Sequence, residues 1–135
     1  MQNNMITEDY VSYETAKLLK EKGFDVWGNG SYDSGIEIYK EYSPSGLLNS
    51  CTTSKPHPKG YPAPTLQMAM KWLRKAHKLC ITIIPKVTDD DGSGGCLWEW
   101  VATYLLVPQS ISLELFESYE EACEAGIRYC LENLI

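Results

Sequence analysis

The block that most constrains the fold runs from Tyr61 to Ile84, where a proline-punctuated segment, an amphipathic repeat and a β-branched run follow one another without a break. Pro62 and Pro64 hold the chain extended, and either Pro64 at the first helical position or Thr65 as N-cap starts a helix behind them. Leu66, Ala69, Met70, Leu73 and Ala76 recur at three and four residues, which at 100° per residue gathers them on one inward face. Lys71, Arg74, Lys75 and Lys78 recur with the same spacing on the opposite side, and Met68 and Trp72 lie on the flank between. These six residues, Met68, Lys71, Trp72, Arg74, Lys75 and Lys78, form the candidate interaction surface. Cys80-Ile-Thr-Ile-Ile84 then reads as a buried strand, so the core centres here.

The flanking segments follow the same logic. Thr7 to Gly23 reads as the first helix, with Ser12 as a candidate N-cap and Gly23 as its stop. Ala16 and Leu19 face inward, Val11 and Leu18 lie beside them, and Phe24 anchors the exit. Residues 25 to 60 read as an irregular excursion: a turn-rich stretch over 27–35, one strand in Ile36 to Tyr42, then a long loop rich in Ser, Pro and Gly. Cys80 to Lys86 and Cys96 to Leu106 form an antiparallel hairpin around a glycine-rich tip, and apolar residues on both faces of its second strand predict cover on both sides for part of its length. Pro108-Gln-Ser110 is read as a turn into a third strand carrying Ile111, Leu113 and Leu115. Ser118-Tyr-Glu-Glu121 is a capping box that opens the last helix, whose inward stripe is Cys123, Gly126, Ile127, Cys130 and Leu134. The expected architecture is a single α+β domain over residues 1–135, with three helices packed on a small, mainly antiparallel sheet of three to four strands.

At 135 residues a chain buries roughly two-thirds of its unfolded surface, so no covalent staple is required. No apolar run approaches the roughly 20 residues of a spanning helix, and Met1-Gln-Asn-Asn4 lacks the features of a signal peptide, so a cytoplasmic protein without a membrane segment is expected. The five cysteines are odd in number and contain no Cys-x-x-Cys, which indicates neither a disulfide framework nor a zinc site. Reduced thiols are expected, with Cys80, Cys123 and Cys130 in the core. The net charge of −6 is unevenly spread: residues 1–54 carry 8 acids and 4 bases, residues 55–86 carry 7 bases and no acid, and residues 87–135 carry 10 acids and 1 base. An acidic total argues against a general nucleic-acid binder, while the basic segment either pairs internally with the acidic half or faces a partner.

Chemistry is sparse. His57 and His77 are the two histidines, and neither has a second ligand at helical spacing. Cys80 follows His77 by three residues, which raises a thiol–imidazole pair, but a buried strand cysteine beside an exposed histidine accounts for the same spacing. Asp89-Asp-Asp-Gly92 lacks the alternating ligands and terminal glutamate of a calcium loop, and Gly28-Asn-Gly30 lacks the third glycine of a dinucleotide fingerprint. No catalytic residue, cofactor or metal is assigned, and no small-molecule ligand is indicated.

Tyr10 to Asp25, Tyr61 to Arg74 and Ser118 to Ile135 together resemble a family of small uncharacterised proteins from gut anaerobic bacteria and their prophages. The resemblance implies a bacterial or phage cytoplasmic setting and carries no activity with it. Three functional readings follow. The foremost is a non-catalytic protein-interaction or accessory module acting on a protein partner or a second copy of itself. The next is a nucleic-acid binder that presents the basic face of helix 66–78, and the third is a small enzyme without a recognisable motif.

Overall fold

Among the described residues, a side-chain oxygen starts each of three helices. Ser12 Oγ accepts from the Thr15 amide at 3.3 Å, Thr65 Oγ1 from the Met68 amide at 3.2 Å, and Ser118 Oγ from the Glu121 amide at 3.0 Å, each satisfying a donor that the first turn leaves open. The computed structural model describes residues 6, 8–26, 30–32, 38–40, 61–87, 95–105 and 107–135. Along these the order is α1 (Tyr13–Glu21), β1 (Gly30–Tyr32), β2 (Ile38–Lys40), β3 (Tyr61–Pro62), α2 (Leu66–His77), β4 (Leu79–Val87), β5 (Cys96–Tyr104), β6 (Val107–Ile111) and α3 (Tyr119–Asn133). This is a small α+β domain.

The helix ends are as local as the starts. Gly23 adopts φ 100, its amide bonds the Lys20 carbonyl, and the Phe24 amide reaches the Leu19 carbonyl at 2.9 Å. That pair of bonds is a Schellman closure, and it buries Phe24 against the core. Ser12 caps α1 as its spacing suggests, so the helix begins after the Thr7 bound, and Tyr10 instead bridges Thr65 in extended conformation. Lys78 ends α2 in the left-handed region at φ 61 and passes the chain directly into β4. Ala76 is exposed, against its predicted inward place, because Leu73 already fills that face and the next buried position falls to Leu79.

Among the described residues two antiparallel three-stranded sheets form, ordered β2-β1-β3 and β4-β5-β6. β1 lies within the stretch read as turns alone, where Ser31 pairs with both Tyr39 and Pro62. The β4–β5 ladder runs unshifted from Leu79↔Tyr104 to Val87↔Cys96. The chain reverses at Leu105, φ 49, so β6 begins earlier than expected and Pro108 falls inside it rather than in a turn. Pro108 is accommodated because β6 is an edge strand and the register slips there, between Ala102 and Thr103 on β5. The third strand therefore stops at Ile111, and Leu113 and Leu115 lie beyond it, exposed.

α3 lies across β4 and β5, with α1 and α2 also against it. Gly126 makes that approach feasible, since a Cβ there would stand 3.1 Å from both Ile81 Cγ2 and Trp100 Cγ. Leu19, Leu73, Ile127 and Leu131 are fully buried where the helices meet, which places the core between α3 and one face of the β4-β5-β6 sheet. On the other face Glu99, 8 % exposed, is met at 3.1 Å by Lys86, its diagonal neighbour across the ladder.

Candidate functional site

The basic face of α2 is present as a surface. Lys71, Arg74, Lys75 and Lys78 are all exposed, and among the described residues no carboxylate pairs with any of them. The internal neutralisation open to the basic segment is seen at Lys86 instead, which belongs to β4. Met68, 48 % exposed, stands three residues before Lys71 and seven before Lys75, which makes it an apolar head to a stripe of cations. Trp72 is half-buried, and its ring packs edge-on against Phe24 at 5.4 Å and His77 at 4.9 Å. Of the six candidate surface residues, Trp72 thus fastens α2 to the α1 exit.

A second feature escaped the sequence. Trp98 and Phe116 exchange both backbone hydrogen bonds at 2.8 Å, and the Ser112 amide donates to the Trp100 carbonyl at 2.9 Å. Five residues, Ser112 to Phe116, therefore span the length of β5 that three residues, Trp98 to Trp100, cover. The surplus pushes Leu113, fully exposed, and Glu114 outward. A cleft of about 700 Å³ opens between this outward arch and the flank of α3. Trp100, Phe116 and Tyr129 form its aromatic floor, with the Trp100 and Tyr129 rings 4.8 Å apart and Tyr129 Oη accepting from Ser110 Oγ at 2.9 Å. Glu114, Glu121 and Glu132 stand exposed at its rim, Glu124 lines it more deeply, and among the described residues Arg128 is the one cation lining it, paired by Glu132 at 3.3 Å.

Glu124 also has a structural task. Its Oε1 accepts from the Ser12 amide at 2.9 Å and from Thr15 Oγ1 at 2.6 Å, tying α3 to the start of α1, while its Oε2 is buried without a hydrogen-bond partner among the described residues.

The thiols divide differently from expectation. Cys123 and Cys130 are buried, and that burial pushes their thiols up to about 11 and about 12. Cys80 is exposed, because β4 alternates and the face that carries it points away from α3. It forms no hydrogen bond with His77, whose ring is taken by Trp72. Cys51, His57 and the hairpin tip at residues 88–94 lie outside the described residues. Among the described residues no group of three or more His, Cys, Asp or Glu converges to hold a metal ion, and no helix is long and apolar enough to cross a membrane. No family model matches the chain, and no curated protein or solved structure matches it either.

Proposed function

We propose that the chain is a small non-catalytic protein-interaction module, of bacterial or phage origin and cytoplasmic, that docks a protein partner through Met68, Lys71, Arg74, Lys75 and Lys78. One observation carries the reading: four cations project from one helix face with no carboxylate of the described residues against them, beside an exposed apolar side chain. An apolar anchor ringed by charge is the composition of a docking patch, the anchor supplying burial and the charges supplying orientation and on-rate.

The same unpaired cations favour a second reading, contact with nucleic-acid phosphates. Two features weigh against it. The body as a whole carries −6, which repels a polyanion from other directions, and Trp72, the aromatic ring on this face, is engaged with Phe24 and His77 rather than presented for base stacking. Titration with duplex DNA at two salt concentrations separates the two. Four phosphate contacts would give a slope of log affinity against log salt of about −3.6. The expected outcome is no such binding. Micromolar affinity with that slope, abolished in Lys71→Glu/Lys75→Glu, would overturn the protein-interaction reading and establish the second.

A further inference from the structure

We propose that the partner of the α2 face is a second copy of this chain, whose aromatic, acid-rimmed cleft receives Met68 and the cations behind it; the inference rests on the interaction-module reading above. The two surfaces match in composition and in order. Met68, Lys71, Lys75 and Lys78 form a stripe with an apolar head, and the cleft offers an aromatic floor of Trp100, Phe116 and Tyr129 inside a rim of glutamates. A flexible thioether suits such a floor, since sulfur makes favourable contacts with ring edges. Of its carboxylates, Glu124 is turned to the start of α1 and Glu132 shares Arg128, while Glu114 and Glu121 are exposed with no ion pair among the described residues, so the cleft presents negative charge to an incoming cation. Leu113 and Ile111, both exposed on its wall, add apolar surface that a partner would cover.

The occupant cannot be the chain's own helix. α2 packs against β4 and α3, whereas the cleft opens on the far flank of α3, walled by the segment that follows β6. β4 and β6 are opposite edges of the sheet, so donor face and acceptor cleft lie on opposite sides of one molecule. Contact between two copies is consequently head-to-tail. Such an interface leaves an unused face and an unused cleft at the two ends, and it therefore grows or closes into a ring instead of stopping at two.

That topology gives the experiment. Sedimentation velocity of the wild type over a concentration series is expected to show average mass rising past twice the monomer, and falling back as salt is raised. A donor-dead variant, Lys71→Glu/Lys75→Glu, and an acceptor-dead variant, Glu114→Lys/Glu132→Lys, should each be monomeric alone. All four positions are exposed, and Glu124 is left intact because its carboxylate holds the start of α1. Mixed one to one, the two variants retain one working face and one working cleft between them, so they should form a dimer that grows no further. Thermal melts of both variants confirm that each is folded. A wild type that stays monomeric at every concentration overturns the inference, as does a mixture that yields no dimer or a mass that rises in both variants alone. Monomeric wild type without salt-steep DNA binding removes this inference only. Monomeric wild type with DNA binding lost in Lys71→Glu/Lys75→Glu removes the interaction-module reading with it.

Discussion

Gly126 shows how a single residue sets the spacing of two layers. Alanine is favoured over glycine inside a helix by about 1 kcal/mol, so Gly126→Ala would stabilise α3 if the added methyl had room. It does not: Ile81 Cγ2 and Trp100 Cγ stand 3.1 Å from that position, and Trp100 is held by Tyr129 behind it. Overpacking of this kind costs about 1–3 kcal/mol, so the packing cost exceeds the propensity gain and the melting temperature should fall. The buried thiols make a second residue-scale case. Native protein should take up thiol reagent at Cys80 and Cys96 and resist it at Cys123 and Cys130, all of which react once denatured. The sign of the pH effect follows from the raised values. Below the ordinary value of 9.0 both thiols are protonated in either state and their contribution is fully present; above it the unfolded chain loses protons first, and stability falls until the folded values of about 11 and about 12 are passed. A tenfold difference in proton affinity between the folded and unfolded thiol corresponds to about 1.4 kcal/mol, so Cys123→Ala should flatten the alkaline limb of a stability–pH curve as well as lowering its plateau.

At the scale of elements, the helices were legible and the strands less so, for a reason of range. Ser12, Thr65 and Ser118 each act within three residues of their own position, and so does the Gly23 closure, so local spacing is enough to find them. β6 depends instead on where β5 already lies: Pro108 reads as a turn by itself and is a strand residue only because an edge with a slipped register leaves its missing donor without consequence. Glu124 is another long-range feature, since nothing in Ser118 to Glu124 announces that one carboxylate will hold the start of α1. Hydrogen bonds to a charged group contribute about 1.5–3 kcal/mol, more than the roughly 1 kcal/mol of an N-cap. Glu124→Ala should therefore lower unfolding free energy in urea by more than Ser118→Ala does. Glu124→Gln should recover most of the loss, since it keeps an acceptor for Ser12 and Thr15 and removes the charge from the buried, unpartnered oxygen. Equal losses for Gln and Ala would show that the charge, not the acceptor, fastens the two helices.

Across the whole molecule, the sequence displayed the basic stripe but not the cleft, because charge spacing along a helix is periodic whereas the cleft comes from five residues set against three across a non-local pairing. The same distinction between what a charge is and where it stands yields a test of how the charges are used. Lys71→Glu/Lys75→Glu moves the net charge by −2 at each site, from −6 to −10, yet it breaks no ion pair among the described residues. Exposed substitutions away from specific contacts usually stay within about 0.5 kcal/mol, and added self-repulsion in an already acidic body is screened at ordinary salt. Lys86→Ala moves the net charge only from −6 to −7, but it strips the partner from Glu99, a carboxylate 8 % exposed on the sheet face away from α3. Because Lys86 is itself half-exposed, water relieves part of that loss, and a cost of about 1–2 kcal/mol is expected in place of the larger penalty of a fully buried pair. The single neutral substitution should thus lower the melting temperature more than the double reversal. The opposite order would mean that the α2 cations support the fold, and their shared face could then no longer be assigned to a partner.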